Sequence, residues 1–229
     1  MVGIGPAVTR TQAVTPVRPV DAASLLIVRH GSDGAEVLMG RRPQNARFAP
    51  GVFVFPGGKI EREDFSVGSV GELEKSIIDK VAVAGSRRKA QGFAKAAVRE
   101  AYEETGLLLV EPGEVGDVGN PSWLAIKRQG LAPALKHMDY VGRAITYAGS
   151  PVRFHARFFL VNAEHVSGEV RGNGELEDIE WHPIGQALAL PIFDVTEFIL
   201  SELGRQLRTY SPRKPVLSYR NGAVRVYYQ

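Results

Sequence analysis

The sequence predicts an α+β protein built on a mixed β-sheet, and three observations carry that expectation. Short β-branched and aromatic runs fill residues 22–55 and return after residue 140. A long helical stretch over 90–105 lies between them, and a second over 194–208 follows the last internal strand. Runs of strands followed by helices, rather than strict strand–helix alternation, point to a mixed sheet instead of a regular βαβ array.

Residues 22–30 and 36–42 flank Ser32-Asp33-Gly34, a turn signal, and so read as a hairpin. Residues 51–55 make another short strand, stopped by Pro56-Gly57-Gly58. Two helices are expected next, over 70–83 and 90–105, the second placing Phe93, Ala97, Ala101 and Leu107 on one face. Strands follow at 107–111, 143–148 and 153–162, the last rich in aromatic and β-branched residues. The stretch 112–140 between them is rich in Gly and Pro, with one or two short helices. A strand at 177–181 leads into Pro183, suited to the first turn of a helix running to about residue 190. After the 194–208 helix, the basic, tyrosine-rich tail 209–229 reads as a strand pair around Asn221-Gly222.

Residues 1–21 lack the continuous apolar core of a secretory signal and read as an N-terminal arm ahead of one domain, 22–229. With 44% hydrophobic and 23% charged residues the composition is that of a soluble globular protein, and no run is long enough to span a membrane. The chain has no cysteine, which excludes disulfides, thiolate zinc sites and a Cys nucleophile and fits a cytoplasmic location. The formal charge of +3 is a mild bias that helps attract a polyanion.

Residues 97–110 carry the most chemical information. At 100° per residue, Glu100, Glu103 and Glu104 fall on one helix face. Three carboxylates so placed repel one another, and a hard cation such as Mg²⁺ or Mn²⁺ relieves that repulsion. A solvated acidic face is the simpler alternative. Arg99 precedes Glu103 by four residues and can orient it, and Gly106 ends the helix. The second informative piece is Phe55-Pro56-Gly57-Gly58, whose glycines let backbone approach a ligand closely, although a plain tight turn also accounts for them.

Together these pieces resemble the Nudix box, G-x5-E-x7-R-E-U-x-E-E-x-G-U, with U a bulky aliphatic residue. Gly58 matches the first glycine, and Asp64 stands where the family has Glu. Arg99 to Leu107 match the second half, with a small Ala101 at the first U. Between Asp64 and Arg99 lie 34 residues where the pattern has 7, an insertion of 27 that occupies roughly residues 65–92. A box interrupted in this way resembles the subgroup containing peroxisomal coenzyme A and acyl-CoA diphosphatases. The segment from Leu38 through Arg42, Arg47 and Gly51 to Gly58 is similar to that subgroup's signature, with Gly40 in place of Thr and Pro43 in place of Ser or Ala. Residues 153–159 resemble its strand after the box.

The resemblance implies a Nudix fold, a mixed β-sheet sandwiched between helices with helical insertions. It also implies a Mg²⁺- or Mn²⁺-dependent diphosphatase. Glu100, Glu103 and Glu104, with the Gly57 carbonyl, correspond to the metal ligands, and Arg99 completes the catalytic group. The general base is a box glutamate or one of Glu164, Glu175 and Glu177. Arg42, Arg47 and Lys59 are candidate phosphate contacts, joined by Arg153 and Arg157 on one strand face; each is equally compatible with a surface or structural ion pair. Asp64 either shares the metal site or caps a helix. Trp123 can stack a base or pack in the core. The five histidines show no metal-ligand spacing. The implied substrate is nucleotide-linked, most simply coenzyme A or acyl-CoA, with ADP-ribose or a dinucleotide as rivals and a non-catalytic ligand-binding module as the alternative class. Nucleic-acid binding by the tail is a weaker reading, no membrane partner is implied, and a homodimer remains open. The insertion is expected to wall the substrate pocket.

Overall fold

The structure, a computed structural model, describes residues 18–82, 85–150, 152–209, 211–220 and 222–229. The N-terminal arm therefore lies largely outside the described residues, as do the end of the 70–83 helix and Asn221 of the tail turn. Val20 and Asp21 already belong to the first strand.

The expected hairpin forms from β1 (Val20–Gly31) and β2 (Gly34–Arg41) and closes at Gly31↔Gly34. The next strand departs from expectation. β3 spans only Phe53–Val54, and the Pro-Gly-Gly does not end strand structure, because Gly57–Lys59 forms β4 antiparallel to β1. Two glycines make that pairing possible by clearing side chains from a crowded junction. α1 (Lys75–Val81) and α2 (Arg87–Thr105) follow, with Ser86 capping α2 by accepting from the Lys89 N–H. Between residues 107 and 137 the chain forms β5 (Val110–Pro112), α3 (Pro121–Arg128) and β6 (Leu131–Pro133), the last missed from sequence because it is three residues long, follows Gly130 and itself ends in a proline. β7 (Asp139–Ile145) and β8 (Phe154–Asn162) lead to β9 (Glu177–Pro183). α4 (Ile184–Ala187) stops short of residue 190, and α5 (Asp194–Arg208) matches the reading from sequence. β10 (Pro215–Arg220) and β11 (Ala223–Tyr228) are the expected tail pair.

Among the described residues nine strands form one mixed sheet in the order β11-β10-β7-β8-β1-β2-β3, with β4 joining β1 and β9 joining β2, and β5 and β6 pair in a separate two-stranded sheet. β1 runs parallel to β8 and antiparallel to β2, so the central strand is hydrogen-bonded on both sides. Strand alternation then sorts the two faces. Ala23, Leu25 and Ile27 of β1, with Phe159 and Val161 of β8, pack beneath α1 and α2; Leu26, Val28 and Phe158 pack beneath α5. The sheet is thus sandwiched between helices. Ala94, Ala97 and Ala101 are fully buried on α2, where small side chains let the helix settle closely on β1. The small residue at the first U position follows from this contact.

The insertion is placed differently from expectation. Residues 66–74 lie along the α2 layer, with Gly68 N–H donating to the Val115 carbonyl and Val70 N–H to that of Pro133. None of the described residues of this insertion lines the large cavity described below, which opens on the α5 side of the sheet.

Candidate active site

α2 brings its acidic face against the β4 backbone. Gly57 N–H donates to Glu104 Oε2 at 2.8 Å, and a Cβ added to Gly58 would stand 2.5 Å from a Glu100 carboxylate oxygen. Only glycine leaves room for that approach. The two separated motif halves therefore meet in space. α2 ends immediately afterwards at Gly106, whose φ of 75° is the left-handed conformation that favours glycine.

Arg99 organises the cluster from below. It is 1% exposed and forks onto Asp64, with Nε to Oδ1 and Nη2 to Oδ2 both at 3.0 Å. Its remaining donors reach Glu100, Glu103 and the Lys59 carbonyl, each at 2.9 Å. Asp64 is fully buried and also accepts from the Trp123 indole at 3.1 Å and from Glu61 N–H at 2.8 Å. Its carboxylate is consumed in anchoring Arg99, which answers both sequence readings of Asp64. Trp123 is a core residue hydrogen-bonded to that anchor rather than a stacking surface.

Glu100 and Glu104 are desolvated at this junction. Burial pushes the Glu104 carboxyl up to about 8, aided by the charges of Glu100 and Glu175 and opposed by the Gly57 N–H. Burial likewise raises Glu100 to about 7, although Arg99 pulls the other way. Glu103 faces aside, with one oxygen on Arg99 and the other accepting from Ser122 Oγ at 2.5 Å. Among the described residues no three His, Cys, Asp or Glu side chains stand together as a metal-binding group. The donors nonetheless fit a hard divalent ion. Burial, with smaller contributions from neighbouring carboxylates, raises both carboxyl groups, and both abut glycine backbone where an ion would restore their charge.

These shifts set a stability profile. A carboxyl group with a raised folded pKa holds a proton that the unfolded chain releases. Its contribution is therefore full below the unfolded value near 4.5 and is lost as pH rises through about 7 for Glu100 and about 8 for Glu104. In chelator, urea-unfolding stability is expected to fall between about pH 5 and pH 9 by an amount on the order of a few kcal/mol. A divalent cation should flatten the slope. Stability that rises with pH over this window would contradict the arrangement.

Glu104, Gly57 and Gly58 sit at the edge of a cavity of about 840 Å³ floored by Ala22, Ser24, Phe154, Ala156 and Phe158. Arg42 lines it and is the one Lys or Arg among the described lining residues; its Nε donates to the Phe48 carbonyl at 2.9 Å. The other proposed phosphate contacts are not brought there. Arg47 is exposed on the neighbouring loop, and Lys59 is exposed and contributes its carbonyl to Arg99. Arg157 is fully buried on the opposite sheet face, stacked 3.6 Å from the Phe93 ring centroid and bonded to Asp21 at 2.7 Å. Arg153 shares its parity and bonds the Thr146 carbonyl, whereas the cavity takes the even-numbered residues of β8. Sequence alone could establish that the two arginines share a face, but not which helix layer that face meets.

Of the three candidate glutamates, Glu177 pairs with Arg41 and Glu164 with His165. The charge of Glu175 is felt by both Glu100 and Glu104. His137 and His165 stack on each other at 4.0 Å, away from the cavity lining.

A model of the NUDIX domain matches residues 19–199, most of the chain and both halves of the carboxylate site. The chain belongs to the Nudix family. Nudix proteins are hydrolases of diphosphate bonds that generally use divalent metals. The crystal structure of a Nudix hydrolase from Alicyclobacillus acidocaldarius aligns with a TM-score of 0.68 and 28% identity, covering 85% of this chain and 97% of that one. An acyl-coenzyme A diphosphatase of Xenopus laevis, NUDT19, is 30% identical over 129 residues, 47% of this chain and 34% of that protein. A Caenorhabditis elegans protein carrying the name nudix hydrolase 7 is 26% identical over 156 residues, 63% of this chain and 45% of that protein. The Nudix chain thus spans less than half the length of each curated relative. No helix among its described residues is long and apolar enough to cross a membrane.

Proposed function

We propose that this Nudix protein is a Mg²⁺- or Mn²⁺-dependent diphosphatase of nucleotide-linked substrates, with coenzyme A or acyl-CoA as the substrate class. The observation that carries the reading is the seating of Glu100 and Glu104 against Gly57 and Gly58 at the edge of a large cavity. Glu100, Glu103, Glu104 and the Gly57 carbonyl would hold the cation. Bound there, it would neutralise diphosphate charge and lower the pKa of the attacking water. Arg99 fixes the orientations of Glu100 and Glu103 through its buried fork. Glu175 is the candidate to take the proton from water, because its charge already reaches the carboxylates. Arg42, which lines the cavity, would contact a phosphate oxygen.

The cavity also favours one arm of the substrate. A phosphorylated group entering it would lose water and find Arg42 as the one cation among the described lining residues, beside the carboxyl groups of Glu104 and Asp194. An uncharged arm, such as the acyl-pantetheine end of acyl-CoA, fits the Phe55, Phe154 and Phe158 surface. The likeness to the signature between Leu38 and Gly58 supports the same substrate class. Gly40, where the signature has Thr, stands where a Cβ would come within 2.9 Å of Leu176, so that departure answers local packing.

Product release from coenzyme A, acetyl-CoA, a long-chain acyl-CoA, ADP-ribose, NADH and nucleoside triphosphates tests the proposal, each with Mg²⁺, with Mn²⁺ and with chelator. Metal-dependent cleavage with kcat/KM rising along the acyl series is the expected result. Preference for ADP-ribose or NADH would keep the chemistry and remove the acyl-CoA assignment, and no cleavage of any member would leave a ligand-binding module.

A further inference from the structure

β11 is the outer strand of the sheet, and no other described strand pairs with its free edge. All six of its residues are exposed, including Val224 at 56%, Val226 at 44%, Tyr227 at 48% and Tyr228 at 46%. It carries one charge, Arg225, and contains no proline, so the usual devices that blunt an edge are few. The opposite edge is covered: Phe53 N–H on β3 donates to the Pro191 carbonyl at 2.9 Å. Which backbone groups of β11 are free follows from its pairing with β10. Lys214 and Gln229 exchange both of their N–H···O bonds, at 2.9 and 3.0 Å. Antiparallel pairs alternate between bonded and non-bonded, so along the register the bonded pairs are Val216↔Tyr227, Ser218↔Arg225 and Arg220↔Ala223. Pro215, which has no N–H to give, falls opposite Tyr228 in a non-bonded pair, as this phase requires. Val224, Val226 and Tyr228 therefore turn their N–H and C=O groups outward.

We infer that β11 pairs antiparallel with β11 of a second copy of this chain about a two-fold axis at Val226, extending the sheet across a homodimer. In that register Val226 meets its own copy and Val224 meets Tyr228, so all three outward residues become bonded pairs. The side chains suit the same register. On the α5 face, where the Tyr228 hydroxyl donates to Glu202 at 2.8 Å, valines lie opposite valine and tyrosine. On the other face Arg225 lies opposite Tyr227, a cation–aromatic pair, and no like charges are opposed. Shifting the axis by one residue to Arg225 sets two guanidinium groups against each other. A second copy is thus the occupant that the strand itself complements. The hairpin is continuous with the cavity, since Tyr219 and Gly222 line it, so the dimer contact would brace one wall of that cavity.

Analytical ultracentrifugation of the full chain and of Val226→Lys, with hydrogen exchange on the wild type, tests the inference. The wild type is expected to sediment as a dimer, with the amides of Val224, Val226 and Tyr228 protected and then exposed on dilution. Val226→Lys should sediment as a monomer with unchanged far-UV dichroism, because it opposes two ammonium groups at the axis while leaving the β10 ladder intact. A wild type that remains monomeric at every concentration would overturn the inference, as would a variant that dimerises like the wild type. Should the variant fail to fold, wild-type exchange decides alone: protection confined to Ala223, Arg225 and Tyr227, the residues bonded to β10, rejects the contact.

Discussion

Replacing Glu104 with Gln is expected to lower kcat by about 10³-fold or more while the protein stays folded, and to make the chelated protein more stable near pH 8. The first effect follows from the proposed ligand set, since an amide oxygen carries no charge to hold a divalent cation and loss of electrostatic stabilisation at a reacting phosphoryl group costs several kcal/mol. The second follows from geometry. Gln preserves the acceptor for the Gly57 N–H and removes a carboxyl group that burial holds at about 8. The pH slope of stability in chelator should flatten in the variant. Turnover on an acyl-CoA substrate and urea unfolding at two pH values check both parts. Near-wild-type turnover with saturating Mg²⁺ would remove Glu104 from the site.

Replacing Asp64 with Leu is expected to cost about 3–5 kcal/mol of stability, the range for stripping one partner from a buried ion pair. Arg99 is 1% exposed, and its fork would face an apolar side chain with no water to replace Asp64. The Trp123 indole and the Glu61 amide would lose their acceptor as well. Activity should fall further than stability explains, because Arg99 also holds Glu100 and Glu103 at 2.9 Å. Asp64→Glu, which restores the charge with one more methylene, should recover part of both. The denaturant midpoint, and kcat measured where the variant is folded, separate the two effects. A loss below about 1 kcal/mol, the scale of an exposed pair, would show that the fork is solvated.

How far the site could be read from sequence depends on the distance over which each residue acts. The common face of Glu100, Glu103 and Glu104 follows from helix geometry alone, and Gly106 ends α2 because only glycine accepts its φ without strain. The α5 helix was visible for the same local reason, an amphipathic repeat bounded by Pro191 and the polar stretch after Arg208. Phosphate contacts were less legible. Arg42, Arg47, Lys59, Arg153 and Arg157 looked alike as cations, yet Arg42 alone lines the cavity, and Arg157 lies beneath Phe93. Strand parity states which residues share a face but not which helix covers it.

Local periodicity and glycine placement thus determined the hairpin, the α2 and α5 helices and the carboxylate face, while the family came from the resemblance of two motif halves to the Nudix box. Tertiary structure decided that Asp64 anchors Arg99, that Glu177 pairs with Arg41, and that the described residues of the insertion lie outside the cavity lining. The physical reason is range. Dihedral preference and side-chain period act within a few residues, whereas burial, ion pairing and desolvation depend on what the sheet brings alongside from 35 or more positions away.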